Sequence, residues 1–428
     1  MLLQLIIILN CLSSIEGYGW VPLLDLKRYN TKKPSEIKIL DKNLVIWEKN
    51  NEIIVQDNAC LHRGGPLSEG YIDEESKNLR CSYHGWEFNN DGSILSIPQQ
   101  SNNCKTCKLK QKTYDTYKNC HILWINLNNT YCEFPEHIKK NNQNISSDIF
   151  VAELPYSMNI LLENLFDPSH VPFAHHKLQS TRDLASTVNS SLTSMNSSEL
   201  NIYFEDNTLK NNQYRNGTMS FYSPCHYVLY SIYPESYLKR LHIYAVPILP
   251  FKTRIFVQYE YKEGTFKTIY SNLPSWFKHL VTHTFFDSDS MLLYKQEQML
   301  RRKKKLKDCV TTYKTPTTSD HSIRSFHKWK KTYPQVWSNI VNLYENETLE
   351  LSREQVFDRY NDHTRYCTHC MGALNNLQVI QKTIPVLLFL HSIYNNNIYE
   401  SSIAIIIYYF IEKLKSYFIF RDYVHNEV

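Results

Sequence analysis

Two short segments of the chain each place a cysteine close to a histidine. Cys60 and His62 lie in Cys-Leu-His-Arg-Gly-Gly-Pro, and Cys81 and His84 lie in Cys-Ser-Tyr-His-Gly-Trp. Two thiolates and two imidazoles can hold a [2Fe–2S] cluster, and placing both histidines on one iron raises its reduction potential well above that of an all-cysteine cluster. The neighbouring glycines let both loops bend close to such a cluster. We therefore expect these four residues to form a centre that carries single electrons.

A zinc site is the alternative use of the same four side chains. Zinc sites more often pair like ligands, with two nearby cysteines followed by two nearby histidines. Here each loop carries one ligand of each kind, and Tyr83 and Trp86 add aromatic surface beside the second pair. The mixed pairs favour the iron–sulfur cluster.

A second candidate metal site follows the cluster loops. His170 and His175 provide two imidazoles, and two histidines with one carboxylate form the facial triad of non-haem Fe(II) oxygenases, which leaves coordination positions open for O2 and substrate. On a continuous helix the two side chains would point about 140° apart. Pro172 between them is expected to break or kink the helix, so that both can reach one metal. The alternative is that His175 and His176 are ordinary surface or core histidines.

The carboxylate of this triad must come from elsewhere in the chain. Asp287 and Asp289 lie at the head of an apolar segment that is predicted to be helical. We expect Asp289 to be the ligand and keep Asp287 as the alternative. Either residue is also compatible with an ordinary helix N-cap, a position where aspartate is favoured.

The elements that must position these residues indicate an α+β protein. Short β-rich runs at 37–40, 44–47 and 53–55, a hairpin turn at 90–92 and a strand at 121–125 predict an all-β N-terminal domain. The next segment mixes strands with a helix over about 274–305. The expected divisions are a leader (1–18), a cluster domain (19–135), a mononuclear iron domain (150–345), a segment with Cys-x-x-Cys (346–378) and a tail (379–428).

The tail contains two apolar stretches, 384–394 and 403–411, each shorter than the roughly 20 residues that span a bilayer. One interpretation is a pair of core helices. The other is a re-entrant or interfacial hairpin, because aromatic residues mixed with Lys413 and Lys415 resemble an interfacial belt. We expect membrane attachment.

Charge and cysteine content limit the remaining function classes. The chain has 428 residues and a net charge of only +5, so no global field favours nucleic acid. The local basic run 301–307 is either a solvated face or a docking patch, and the docked partner would be an acidic redox protein or an anionic membrane.

Eleven cysteines are too few for a disulfide scaffold and favour metal and redox work in a compartment where thiols stay reduced. The apolar residues 1–10 resemble the hydrophobic region of a signal peptide, but the positively charged region that normally precedes it is missing. The alternatives are an N-terminal anchor and a misplaced start of the sequence.

A Cys-x-x-Cys motif lies near the tail. Cys367 and Cys370 are predicted to form a redox pair, because such a motif with a depressed thiol pKa can be a thioredoxin target. The alternatives are two unpaired structural thiols, or half of a zinc site whose other half is Cys104 and Cys107.

Along nearly its whole length the chain resembles the Rieske oxygenases of the pheophorbide a oxygenase-like family. That family includes the Rieske subunit of the chloroplast import translocon and the protochlorophyllide-dependent translocon component. The motifs that carry the resemblance are Trp20-Val21-Pro22-Leu23, Pro66-Leu67-Ser68-Glu69-Gly70, Ile97-Pro98-Gln99, the iron-site spacing of Asn164, Asp167, His170 and His175, Phe357-Asp358-Arg359-Tyr360, the Cys367/Cys370 pair, and Asp422-Tyr423-Val424-His425 at the end of a membrane tail.

The resemblance implies a Rieske domain followed by a helix-grip catalytic domain with an antiparallel sheet. It implies that ferredoxin supplies electrons, and that O2 and a mononuclear Fe(II) oxygenate a chlorophyll-derived tetrapyrrole at a thylakoid or inner-envelope membrane. Asp167 would link the Rieske histidine of one subunit to His170 of its neighbour in a head-to-tail homotrimer, with Asn164 beside the metal. Asp289 and Gln296 would mark the family's carboxylate helix. The alternative is a membrane-bound redox sensor or translocon component; a complete iron triad favours the enzyme.

Overall fold

The structure of the chain is a computed structural model. It describes residues 19–28, 33–40, 42–100, 109–127, 133–140, 145–210, 213–232, 238–249, 251–303, 312–333, 350–395 and 398–425. The apolar leader, most of the basic run, and Cys104 with Cys107 lie outside the described residues.

The N-terminal part consists of short antiparallel strands, as the alternating β-rich runs predict. Strand β1 pairs with β11, which pairs with β10; a second sheet has the order β2-β3-β4-β9, and a third has the order β5-β6-β7-β8. The strands are β1 Trp20–Asp25, β2 Ser35–Ile39, β3 Lys42–Lys49, β4 Glu52–Asp57, β5 Tyr71–Ile72, β6 Leu79–Arg80, β7 Glu87–Phe88, β8 Ile94–Ser96, β9 Thr113–Tyr114, β10 Thr116–Asn119 and β11 Ile122–Asn126.

Both ligand loops are connected to the four-stranded sheet β5-β6-β7-β8. The first loop leaves β4 and leads to β5, and the second connects β6 to β7. The predicted hairpin is confirmed between β7 and β8, where Gly92 adopts a φ of 81° that favours glycine.

A seven-stranded antiparallel sheet forms the centre of the second part, with the order β12-β18-β17-β16-β15-β14-β13. One hydrophobic cluster continues from the N-terminal sheets into this sheet, so the two parts share a core. Its strands are β12 Phe150–Leu154, β13 Val188–Met195, β14 Glu199–Lys210, β15 Gln213–Tyr222, β16 His226–Ser231, β17 Leu238–Leu249 and β18 Lys252–Tyr261.

Several helices pack against the sheet or follow it in the chain. In the described part they are α1 Glu136–Lys140, α2 Met158–Leu165, α3 Val171–Ala174, α4 Thr265–Asn272, α5 Ser275–Arg302, α6 His321–Thr332, α7 Arg353–Val356, α8 Arg359–Asp362, α9 Thr368–Tyr394 and α10 Ile398–Ile419. The long helix α5 agrees with the predicted helix over 274–305. Asp287 and Asp289 therefore lie in the middle of α5, and the interpretation of either as a helix N-cap is wrong.

Helices α9 and α10 form a hairpin. Ser392 contacts Ser401 near the tip, and Gln381 donates to Glu412 at 2.8 Å nearer the base. Many apolar side chains of the hairpin are exposed, including Tyr394 at 86% and Ile398 at 76%, so these stretches are not core helices of this chain. Among the described residues, no helix combines the length and the apolar character that crossing a membrane requires.

Two candidate metal centres

The two cysteine–histidine loops have the same backbone turn. The N–H of Gly64 donates to the carbonyl of Cys60 at 2.8 Å, and the N–H of Gly85 donates to the carbonyl of Cys81, also at 2.8 Å. Both glycines are left-handed, with φ of 71° and 74°, a conformation that side chains with a Cβ adopt only at a cost. The glycines noted in the sequence therefore shape the two loops.

The four predicted cluster ligands separate into a buried pair and an outer pair. Cys60 and Cys81 are 4% and 2% exposed and belong to one hydrophobic cluster. The ring centroids of His62 and His84 lie 4.4 Å apart, and His62 stacks on Trp86 with centroids 4.8 Å apart. Each iron of a [2Fe–2S] cluster would thus receive two like ligands, with the histidine-bound iron nearer to solvent.

The electrostatics of the buried pair favour a bound cation. Burial, with a smaller contribution from the adjacent Cys81, raises the pKa of Cys60 to about 11. Two thiolates side by side in an apolar environment are costly unless positive charge lies between them. Desolvation and the neighbouring His62 lower the pKa of His84, which favours the neutral imidazole that a metal binds. The residues present therefore fit an iron–sulfur cluster.

The second site is built where the chain leaves helix α2. Asp167 caps a single 3₁₀ turn over Pro168–His170, accepting a hydrogen bond from the N–H of Ser169 at 3.0 Å. The short helix α3 follows, and His175 is its C-cap residue. Pro172 lies in the first turn of α3, where its missing N–H costs nothing. The helix breaks before Pro172 and not at it, which corrects the expected position of the break.

This break brings the predicted iron ligands together. The Nε2 atoms of His170 and His175 lie 3.2 Å apart, and Asp289 Oδ2 lies 3.9 Å from the first and 3.5 Å from the second. The three ligand atoms all lie within 4.8 Å of one another. Asp289 Oδ1 has no hydrogen-bond partner among the described residues although it is buried. A buried carboxylate facing two imidazoles fits a metal ion and leaves coordination positions open.

Burial sets the protonation of these ligands. It lowers the pKa of His170 to about 4 and that of His175 to about 3, so both rings are neutral at pH 7. It raises the pKa of Asp289, while Asn164 opposes that rise. Asn164 therefore lies beside the metal ligands, as the resemblance implies.

Second contacts orient both histidines towards the metal. His170 Nδ1 faces the carbonyl of Asp167. His175 Nδ1 lies 2.7 Å from Ser288 Oγ, whose own hydrogen goes to the carbonyl of Phe285 at 2.7 Å. Both Nδ1 atoms must then carry the hydrogen, which leaves both Nε2 lone pairs for the metal.

Asp287, the alternative ligand, forms an ion pair instead. It pairs with Arg359, whose Nε lies 2.8 Å from Asp287 Oδ2. Gln296, the other residue of the predicted carboxylate helix, donates to the hydroxyl of Tyr313 at 2.8 Å. The carboxylate of Asp167 accepts a hydrogen bond from the N–H of Ser169. Within one chain it is therefore the backbone carbonyl of Asp167, and not the carboxylate, that contacts His170.

Sequence reasoning missed several residues beside the second site. Ser288 is one. Tyr423 and His425 are others: Asp289 contributes to the raised pKa of Tyr423, and His425 hydrogen-bonds to the backbone of Ser288. The end of the tail, expected to belong to a membrane segment, thus lies against the iron site. No local spacing signals this, because these residues are distant from the triad in sequence.

The Cys-x-x-Cys pair lies in a third cluster. Cys367 and Cys370 are buried beside His279 and His363, and the hydrogen bond from Cys370, followed by those from the two histidines, lowers the pKa of Cys367 far below its usual value.

Comparisons with known proteins agree with both centres. The family profile described as a Rieske [2Fe-2S] domain matches residues 19–118, and the profile described as pheophorbide a oxygenase matches residues 221–307. The chain is 28% identical to chloroplastic pheophorbide a oxygenase of Oryza sativa subsp. japonica over 96% of this chain and 84% of that protein. It is also 28% identical to chloroplastic flavonoid 8-hydroxylase 2 of Ocimum basilicum over 85% of this chain and 74% of that protein.

The fold is similar to that of solved Rieske oxygenases. The oxygenase in a ferredoxin complex of carbazole 1,9a-dioxygenase superposes with a TM-score of 0.57 at 17% identity, covering 78% of this chain and 94% of that one. The α+β architecture with a β-rich N-terminal domain is therefore confirmed. With both profiles matched and both ligand sets assembled, the chain belongs to the pheophorbide a oxygenase-like family of Rieske non-haem iron oxygenases.

Proposed function

We propose that this chain oxygenates a chlorophyll-derived tetrapyrrole, using O2 and electrons from ferredoxin. The observation that carries the proposal is the complete triad of His170, His175 and Asp289 in a chain that also has all four cluster ligands. A protein that only carries electrons or senses redox state needs no such triad. The alternative role as a redox sensor or translocon component is therefore less well supported.

The side chains divide the work between the two centres. Cys60 and Cys81 would hold the buried end of a cluster, while the rings of His62 and His84 would hold its other end closer to solvent, where a donor can reach it. His170, His175 and Asp289 would hold the second metal and leave coordination positions open for O2 and substrate. When iron is bound there, it supplies the oxidation of the substrate by O2, and the protein supplies orientation and exclusion of water.

Electron transfer between the centres is proposed to cross a subunit boundary in a homotrimer. Asp167 supports this proposal because it immediately precedes the 3₁₀ turn that carries His170, and its carbonyl already contacts the ring of that ligand. A neighbouring subunit's Rieske histidine would approach the Asp167 carboxylate. Burial raises the pKa of this carboxyl, so it is suited to share a proton with such a partner.

A plastid location is proposed from the chloroplastic relatives, and membrane attachment is proposed for the hairpin of α9 and α10. The exposed side chains at the hairpin tip, including Tyr394, Ile398 and Tyr399, support an interfacial attachment. The double variant Tyr394→Ser with Ile398→Glu is expected to lose flotation with galactolipid vesicles. Leu95→Glu, at another exposed apolar position, is the control and should still float. Equal flotation of both variants would argue against this attachment.

Substrate-dependent O2 uptake tests the proposed activity. The protein is reconstituted anaerobically with iron and sulfide and supplied with reduced ferredoxin. We expect O2 uptake with chlorophyll-derived tetrapyrroles and little with flavonoids, the substrate class named for the basil relative. Turnover of flavonoids alone would contradict the proposed substrate, and no uptake with any compound would contradict the proposed oxygenase.

A pair of histidine variants separates the enzyme from an electron carrier. His170→Ala should lose turnover while it keeps the visible and EPR spectra of the cluster, because the two centres use different ligands. His176→Ala is the matched control: this neighbour accepts a hydrogen bond from the N–H of Arg182 and is not a proposed ligand. Equal activity of both variants would remove His170 from the mechanism.

A further inference from the structure

Four metal-binding side chains meet outside both iron centres. They are His279, His363, Cys367 and Cys370, and all four are buried. One ligand atom from each lies within 4.8 Å of the other three. They come from different parts of the chain: His279 from α5, His363 from the turn after α8, and the two cysteines from the start of α9.

The distances among these atoms match a tetrahedral metal site. His279 Nδ1 lies 3.3 Å from Cys367 Sγ and 3.5 Å from Cys370 Sγ, and His363 Nε2 lies 3.2 Å from Cys370 Sγ. With Zn–S bonds of about 2.3 Å and Zn–N bonds of about 2.0 Å, the nitrogen–sulfur edge of a regular tetrahedron is about 3.5 Å. The observed edges equal this length or are slightly shorter, so only a small expansion is needed to admit an ion.

The orientation of His363 adds independent support. Its Nδ1 lies 2.6 Å from the carbonyl of Val151 on β12, so Nδ1 must carry the hydrogen and Nε2 presents its lone pair to the cysteines. Metal-binding histidines usually have their second nitrogen held in this way.

We propose that His279, His363, Cys367 and Cys370 bind one zinc ion. Two thiolates and two imidazoles in a tetrahedron are typical of zinc. All four positions are taken by protein side chains, so the site is closed, whereas the iron triad has only three ligands and stays open. A closed site has a structural role.

The ion would connect the catalytic helix to the C-terminal hairpin. His279 lies on α5, the same helix that carries Asp289, and Cys367 and Cys370 begin the first helix of the hairpin. This differs from the predicted redox pair. Thiols that exchange with a redox partner lie in partly exposed positions, whereas both of these are buried. It also replaces the zinc alternative that paired these cysteines with Cys104 and Cys107.

Metal analysis of the full-length protein tests the proposal. After expression with zinc in the medium and reconstitution of the iron centres, we expect about one zinc per chain in addition to iron. The zinc absorption edge should report two sulfur and two nitrogen neighbours. A protein without zinc, with iron at this site, or with a Cys367–Cys370 disulfide in its place would overturn the assignment.

Two variants test whether the proposed zinc ion is bound by Cys367 and Cys370. Cys367→Ser combined with Cys370→Ser should lower zinc at least tenfold and speed hydrogen exchange at the start of α9, while the Rieske spectrum persists. His369→Ala, an exposed histidine between the two cysteines, is the matched control and should keep its zinc. Unchanged zinc in the double variant would overturn the proposal. The absorption measurement on the unaltered protein remains decisive if that variant does not fold.

Discussion

The guanidinium of Arg359 donates to the carboxylate of Asp287 at 2.8 Å inside the protein. Asp287 lies on helix α5, shortly before Asp289 in the sequence. Arg359 also donates to the carbonyl of Tyr417 on α10 at 2.9 Å. One side chain thus ties the catalytic helix to the C-terminal hairpin. Because this pair occupies Asp287, only Asp289 faces the two iron-site histidines.

This buried ion pair predicts a large loss of stability when Arg359 is removed. Arg359→Ala leaves the Asp287 carboxylate buried without its partner, which typically costs about 3–5 kcal/mol. Urea unfolding of the reconstituted protein measures this change. Arg365→Ala, at an exposed position nearby, is the control and should stay within about 0.5 kcal/mol of the unaltered protein. A similar small effect for both variants would mean that the ion pair does not hold the hairpin.

The hydroxyl of Ser288 is expected to support iron binding through His175. Ser288→Ala removes the acceptor that holds the Nδ1 hydrogen of this ring, and loss of such a contact typically weakens metal affinity or activity about 10–100-fold. Competition with an Fe(II) chelator measures the affinity. Ser290→Ala is the control, because that hydroxyl donates to the carbonyl of Phe286 at 2.7 Å. Equal iron affinity of the two variants would contradict a role of Ser288 in holding His175.

The cluster loops predict unequal effects of two glycine substitutions. Both positions are left-handed, so an added Cβ costs roughly 1–2 kcal/mol in either loop. At Gly85 the Cβ would also lie 3.0 Å from Pro98, whereas at Gly64 nothing lies within 4 Å. Gly85→Ala should therefore lower the amount of assembled cluster more than Gly64→Ala, as measured by visible absorbance per chain. The reverse order would show that this contact does not constrain the loop.

Three stacked histidines predict a loss of stability in acid. Burial lowers the pKa of His137 and of His242 from 6.5 to about 4, and that of His226 well below 6.5. Because each folded-state pKa is depressed, the stability from these rings is complete above pH 6.5 and falls as the pH drops towards the folded-state values.

Replacing one ring should reduce this dependence. A folded-state pKa of about 4, as for His137 and His242, costs about 2 kcal/mol of stability per histidine at pH 5 relative to pH 7.5. His226→Phe keeps an aromatic ring against Tyr244 and should lose less stability than the unaltered protein over that range, measured by urea unfolding. His369→Phe, at an exposed position, should follow the unaltered protein. An undiminished acid loss in His226→Phe would contradict this explanation.

Local patterns were enough to propose the ligands, because both loops and the histidine pair lie in short segments. The spacing of Cys60 and His62 and of Cys81 and His84 is a local property, and so is the hydrophobic pattern of helix α5. The structure places Asp289 beside the two histidines and pairs Asp287 with Arg359, and this ion pair was not visible in the sequence.

Long-range contacts were beyond the reach of the sequence. Ser288 orients His175, and His425 reaches the same site from the C-terminal tail, but no spacing in the sequence connects either residue with its partner at the site. The partners of Cys367 and Cys370 were missed for the same reason, because His279 belongs to another helix. The helix was expected to break at Pro172, between the two histidines. Helix α2 instead ends at Leu165, and Asp167 caps the 3₁₀ turn that carries His170.

Counting iron and sulfide in the reconstituted protein and in Asp289→Ala tests the presence of two separate iron centres most directly. We expect about three iron atoms and about two acid-labile sulfides per chain in the unaltered protein. The variant should keep about two iron atoms, both sulfides and the EPR signal of the reduced cluster. Absence of sulfide, or the same iron content in both proteins, would contradict the presence of two separate iron centres.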